Sequence, residues 1–180
     1  ISLVVDRSGS MSGHPLKVAA TACAQFISAL RPIDTVSVFA YDQSLATLAV
    51  REHPSDHLQR KVRSLQASGS TDLHQGWVTG AKACHKGGQV ILLSDEHANA
   101  GRVTDAYALG KHAAVTRKQF GVFTSTIGIG DGYDEALMAG MAREGGGGHY
   151  FAHNVEAVLR ALDQEFFSLS ATIAEDVTID

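Results

Sequence analysis

No apolar run in this sequence reaches the roughly 18 residues that a membrane helix needs, so no segment is expected to insert in a bilayer as a helix. Basic charge is also in short supply: 15 Lys and Arg stand against 19 Asp and Glu, the net charge is -4, and the pI is near 6.1. Non-specific nucleic-acid binding needs a basic face, and no basic stretch interleaved with aromatics exists, so nucleic acid is excluded as a partner. Cysteine is scarce too, with only Cys23 and Cys84. Both fall in segments that read as helices, among alanines, where a free cysteine behaves as a small buried hydrophobe. A bridge between them needs Cα atoms within about 7 Å. Spacing does not decide that, so the redox compartment stays open between the cytoplasm and the cell surface or secreted space. A secretory signal, internal repeats and long low-complexity tracts are absent as well.

The composition that remains is globular, with 44% hydrophobic and 19% charged residues over 180 positions, enough for one domain with a full core. Short apolar runs alternate with stretches of helical spacing. Ile1 to Val5 reads as a buried strand ending at Asp6. Leu16, Ala20, Cys23, Ile27 and Leu30 repeat as a helix, with Pro15 near its start and Pro32 just past its end. Thr35 to Tyr41 alternates as a strand, and Leu45 to Val50 reads as a nearby strand, antiparallel at an edge. His57 to Leu65 is a short helix. Asp72 and Gln75 form a capping box for a helix from Leu73 to His85, stopped by Gly87 and Gly88. Val90 to Leu93 is the most apolar strand. Helices over Thr104 to Lys118, Glu135 to Arg143 and Val155 to Leu169 alternate with strands over Val122 to Ile129 and His149 to Ala152, and Gly145 to Gly148 reads as a turn. This order predicts a three-layer, doubly wound, Rossmann-like α/β fold: a mostly parallel sheet with one antiparallel edge strand and helices on both faces. One domain is expected over residues 1–171. Residues 172–180 alternate like the start of another strand, and the chain opens inside a strand, so a longer parent protein is expected.

In open parallel sheets, ligands bind beyond the carboxyl ends of the strands. Two such ends carry aspartates here. The first strand runs into Asp6-Arg7-Ser8-Gly9-Ser10-Met11, and the strand Val90 to Leu93 runs into Ser94-Asp95. Asp6, Ser8 and Ser10 place three oxygens on one tight loop. All-oxygen sets suit a hard cation such as magnesium, which takes about six oxygens and keeps several waters. Taken alone, the first loop reads equally well as a turn whose Asp and Ser side chains merely cap a helix.

Together these loops resemble the metal-ion-dependent adhesion site of von Willebrand factor type A domains, in particular the bacterial and inter-alpha-inhibitor-like branch. Val5 to Met11 resembles the first loop of that family. Ala67-Ser68-Gly69-Ser70-Thr71-Asp72-Leu73 is similar to its second, and Ile91 to Asp95 to its third. Thr126-Ile127-Gly128-Ile129-Gly130 and Gly147-Gly148-His149-Tyr150-Phe151 extend the resemblance over most of the chain. The resemblance implies Asp6, Ser8, Ser10, Thr71 and Asp95 as metal ligands. It implies Mg2+ as the ion, with Mn2+ and Ca2+ as alternatives, and a rim of Met11, Ser70, Glu96 and His97 facing the partner. The sequence departs from the family after the third-loop aspartate, where Glu96 replaces the usual glycine and His97 follows. Asn99 fits the family pattern.

What the resemblance implies about function is an adhesion or scaffold module, not an enzyme: a partner protein supplies an Asp or Glu carboxylate that completes the metal shell. Such a contact exceeds an exposed ion pair, which contributes only about 0–1 kcal/mol. Two other readings are open. One is a metal-dependent hydrolase with Glu96 as its base, although the Gly-x-Ser-x-Gly elbow of serine hydrolases is missing. The other keeps the fold as a subunit of a chelatase- or ATPase-linked complex. Oligomeric state is not written in the sequence.

Overall fold

Leu3 and Val5 point to one side of the first strand and Val4 to the other, and all three are fully buried, so both faces of the sheet are covered. The computed structural model of the chain describes residues 1–95, 104–130, 132 and 134–175. Its strands are β1 (Ser2–Asp6), β2 (Val36–Tyr41), β3 (Leu45–Glu52), β4 (Gln89–Ser94), β5 (Phe123–Ile129) and β6 (Gly146–Ala152). Its helices are α1 (His14–Ala29), α2 (Asp56–Arg63), α3 (Leu73–Ala83), α4 (Ala106–Phe120), α5 (Glu135–Gly145) and α6 (Val155–Glu175). The strands form a six-stranded sheet in the order β3-β2-β1-β4-β5-β6. All neighbours pair in parallel except β2 with β3, which is antiparallel and puts β3 at the edge. The expected three-layer α/β architecture is therefore the observed one.

The pleat explains the layers. Leu3, Val5, Val38, Ile91 and Leu93 pack with α1, α2 and α6 on one face. Val4, Phe39, Tyr41, Val90 and Leu92 pack with α3, α4 and α5 on the other. Each fully buried aliphatic or aromatic side chain contributes about 1.5–3 kcal/mol, so this two-sided burial dominates the fold's stability. Gly80 lets α3 lie close on the sheet, because a Cβ there would overlap Val4 and Val90. Trp77 is buried beside it, and its indole N–H donates to Thr124 Oγ1 at 3.1 Å, which satisfies the ring's one polar atom.

The cap expected at Asp72 is present, and Asp105 and Asp134 cap two further helices. The Asp72 carboxylate accepts from the Gln75 amide at 3.0 Å, Asp105 from Ala108 and Asp134 from Leu137. Several boundaries move. Helix α3 ends at Ala83, with Cys84 as its C-cap, so Cys84 sits half-buried at a helix end while Cys23 lies buried in α1; both are free thiols. Strand β6 begins at Gly146, in the tract expected to be a turn. The cause is tertiary: at Gly147 a Cβ would overlap Ser125, and the Gly148 amide donates to Ser125 Oγ at 3.0 Å, so the bare backbone lies flush against β5. Helix α6 runs to Glu175, and residues 176–180 lie outside the described residues. Among the described residues, no helix is long and apolar enough to cross a membrane.

Candidate metal centre

Parallel pairing gathers the carboxyl ends of β1, β2 and β4 at one edge. Register sets Asp6 beside Tyr41, and Val5 beside Leu93 so that Ser94 follows next to Asp6. Asp6 is fully buried there. Its Oδ1 accepts from the Ser8 amide at 2.7 Å, and its Oδ2 accepts from Ser94 Oγ at 2.6 Å and from the Tyr41 hydroxyl at 3.3 Å. These partners are all uncharged. Burial raises the Asp6 carboxyl above its ordinary range, and the hydrogen bonds from Ser94, Ser8 and Tyr41 oppose that rise. Burial, with the Asp6 charge beside it, also pushes the Tyr41 phenol well up, so Tyr41 stays a neutral donor. Arg7, next along the chain, turns its guanidinium to Asp42 at 2.9 Å.

From this floor a track of oxygens leads outward. The Ser8 side chain bonds Asp6. Ser8 Oγ lies 3.1 Å from Ser10 Oγ, and Ser10 Oγ donates to Asp95 Oδ1 at 2.9 Å. Ser8 is buried, Asp95 is half-buried and Ser10 is exposed, so the track opens at the surface. A short 3-10 turn, Gly9–Met11, bends the first loop before α1. The loop between α2 and α3 is pinned against it: the Ser68 amide donates to the Arg7 carbonyl at 2.8 Å and the Gly9 amide to the Gly69 carbonyl at 2.9 Å. Farther on, the Ser70 amide donates to Gln43 Oε1 at 2.8 Å and the Asp72 amide to the Asp42 carbonyl at 2.9 Å. Thr71 sits on this pinned stretch and is fully buried.

The structure thus brings Asp6, Ser8, Ser10 and Asp95 into one hydrogen-bonded group, with the Thr71 loop tied against it. The rim differs from expectation at Met11. That side chain is fully buried in the core beneath α1 and α6, because the 3-10 turn rotates it inward, so it offers nothing to a partner. Ser70 is exposed, as a rim residue must be. Glu96, His97 and Asn99 lie outside the described residues. Tyr41 and Ser94 were missed in the sequence; the parallel register that aligns the last residue of β2 with Asp6 is the signal that finds the tyrosine.

Among the described residues, no three His, Cys, Asp or Glu side chains gather as a metal set. The donors at this edge are two carboxylates and several hydroxyls. That set fits a hard divalent cation and suits a soft one poorly. A buried carboxylate is normally paired with a cation or bound to a metal, and among the described residues the hydrogen-bond partners of Asp6 are neutral.

The model of the von Willebrand factor type A domain matches residues 1–97. The chain belongs to this family. The uncharacterized protein YfbK of Escherichia coli is 26% identical over 97% of this chain and 32% of its own length. The uncharacterized protein sll0103 of Synechocystis is 25% identical over 94% of this chain and 41% of its own. This type A chain therefore spans about a third of one curated relative it matches and about two fifths of the other. Among solved structures, BatB from Bacteroides thetaiotaomicron aligns with a TM-score of 0.77 at 15% identity, over 94% of this chain and 98% of that one, which shows the shared fold. Proximal thread matrix protein 1 from the mussel byssus aligns at 0.69 with 14% identity over 93% of this chain and 45% of that one, and was solved with a zinc-occupied MIDAS motif. Type A domains are typically interaction modules, commonly for protein partners.

Proposed function

We propose that this domain holds one divalent cation at the carboxyl edge of its sheet and uses it to bind an acidic side chain of a partner protein. One observation carries the reading: a buried carboxylate, Asp6, is joined through the Ser8 and Ser10 hydroxyls to a second carboxylate, Asp95, at the protein surface. Two like charges in one small cluster of oxygens repel unless a cation joins them. Asp6, Ser8, Ser10, Thr71 and Asp95 are the residues that would hold it. Hard oxygen donors favour Mg2+, with Mn2+ and Ca2+ as alternatives; the mussel protein's zinc adds a fourth ion to compare. The bound ion would supply a positive centre that accepts a carboxylate from outside.

This chain's own residues do the rest. Tyr41 and Ser94 hold Asp6 in place from below. The Arg7–Asp42 ion pair keeps the guanidinium away from Asp6. The backbone bonds from Ser68 and Gly9 fix the Thr71 loop against the first loop before any partner arrives, and such preorganisation lowers the cost of binding. Ser10 and Ser70, both exposed, stand where a partner would dock. The proposed role is binding without catalysis.

Calorimetric titration of Mg2+, Mn2+, Ca2+ and Zn2+ into the domain and into Asp6→Ala tests the ion. We expect saturable binding of at least one ion by the first and a loss of about a hundredfold or more in the second. Equal affinity for both proteins would overturn the assignment. Capture of Asp- or Glu-bearing peptides should then require the ion and be reversed by a chelator. Metal-dependent turnover of generic esters or phosphoesters would instead support a hydrolase.

A further inference from the structure

Away from this site, two imidazoles meet between helices. His74 lies in the first turn of α3 and His112 in the middle of α4, 38 positions apart in sequence, yet His74 Nε2 stands 3.1 Å from His112 Nδ1. The ring centroids are 5.2 Å apart and the planes tilt by 50°, so the rings meet through their nitrogens and do not stack. A hydrogen bond between imidazoles needs one neutral nitrogen as acceptor, so the contact requires at least one lone pair directed at the gap.

We propose that His74 and His112 form a second metal site, one that takes a borderline divalent ion: zinc, nickel or copper(II). Imidazole nitrogen suits these ions, while magnesium and calcium prefer oxygen. The separation fits. Two nitrogens about 2.0–2.1 Å from a tetrahedral zinc lie about 3.3–3.4 Å apart. The observed 3.1 Å is a few tenths short of that, and a small rotation of either ring supplies the difference. Both rings are carried by packed helices. Leu73 and Trp77 flank His74 and are buried, and Ala113, beside His112, is buried too. The site is thus held by rigid elements before the ion binds. His112 is exposed and His74 half-buried, so an ion has access. Two protein nitrogens leave the other coordination positions to water or to a donor from a partner. The bound ion would tie α3 to α4 and, by binding only the folded chain, raise its stability.

Trp77 makes the site readable, because it is the chain's only tryptophan and its ring centroid lies 6.3 Å from that of His74. Copper(II) at the pair should quench its fluorescence at short range. Titration of the full 180-residue chain with copper(II), in excess Mg2+ so that hard-oxygen sites are filled, should give saturable quenching at one ion per chain. His74→Ala and His112→Ala should each raise the half-saturating concentration by about tenfold or more. His57→Ala, on the exposed side of α2, should titrate like the parent. Zinc, which does not quench by this route, should compete with copper, and its thermal stabilisation of the chain should shrink in both histidine variants. Quenching that does not saturate, or an unchanged titration in either His74→Ala or His112→Ala, would overturn the proposal. So would a zinc shift that, in the Asp6→Ala background, survives both substitutions.

Discussion

Three carboxylates are buried among the described residues; Asp42 is paired with Arg7, and the other two sit toward opposite ends of the sheet. Asp6 lies at the carboxyl edge, and Glu165, on α6, lies toward the amino ends of β4 and β5, where it is 4% exposed. Each accepts from three neutral groups. Asp6 takes the Ser8 amide and the Ser94 and Tyr41 hydroxyls. Glu165 takes the Gln89 amide, Ser125 Oγ at 2.8 Å and the Tyr150 hydroxyl at 2.6 Å. The difference lies in what comes next. Around Asp6 the hydroxyls lead outward to a second carboxylate and to the surface. The donors around Glu165 belong to β4, β5 and β6 and close on it, so that carboxylate fastens α6 to three strands. Burial with neutral donors is thus common to both. The second anion and the open mouth are what set Asp6 apart, and the proposed cation rests on them.

The comparison breaks most sharply on cation dependence. At a cation concentration about 100 times the dissociation constant, binding stabilises a folded chain by about 2.7 kcal/mol. The parent should gain stability of that order when the preferred ion among Mg2+, Mn2+ and Ca2+ is added, and Asp6→Ala should gain none. Glu165→Gln should keep the full gain. Thermal or urea unfolding with and without the ion measures all three. A Glu165 variant that loses the response, or an Asp6 variant that keeps it, would reverse the roles given to the two ends.

Next in size is the structural cost at the closed end. Glu165→Ala leaves the Gln89, Ser125 and Tyr150 donors without their acceptor. An unmet buried donor costs about 1–3 kcal/mol, and partial relaxation of three of them points to a loss of about 2–3 kcal/mol. That loss should appear equally with and without divalent ions in urea denaturation. A loss that vanishes on adding the ion would mean that Glu165 belongs to the cation site after all.

The two ends also differ in how far the sequence discloses them. Asp6, Ser8, Ser10 and Asp95 could be read because they follow apolar strands directly, and a turn after a parallel strand exposes its oxygens by construction. The layers were equally legible, since Leu3, Val5, Ile91 and Leu93 alternate with Val4, Val90 and Leu92. Tyr41 was hidden, because its role depends on the register between β1 and β2, which no local pattern states. Met11 misled for a similar reason: the resemblance placed it on the rim, and it lies in the core at the end of the 3-10 turn. Glu165 sits between Leu162 and Phe166 on an amphipathic helix, where a single acid looks like the solvated face. Its partners come from three strands, β4, β5 and β6, which only the tertiary fold brings together. Long-range register, more than residue type, separates what was visible from what was not.

A half-buried basic group on β6 supplies the finest test. His149 Nδ1 lies 2.9 Å from Thr126 Oγ1, and that hydroxyl donates its own hydrogen to the Met138 carbonyl at 3.0 Å. Thr126 therefore accepts, and His149 carries its proton on Nδ1. Burial lowers the His149 pKa below its ordinary 6.5, against the pull of the Glu135 carboxylate. A base lowered in the folded state binds fewer protons than the unfolded chain does once the pH drops below about 6.5. Its contribution to stability is thus fully present above that value, is lost as pH falls, and levels off below the lowered folded value. His149→Gln keeps a donor for Thr126 and removes the titration. Urea midpoints from pH 7.5 down to pH 5.0 should therefore fall less steeply in the variant than in the parent. Parallel slopes would mean that the His149 environment leaves its protonation unchanged by folding. The half-buried His149 on the edge strand β6 would then be neither a staple like Glu165 nor a charge of the kind proposed for Asp6.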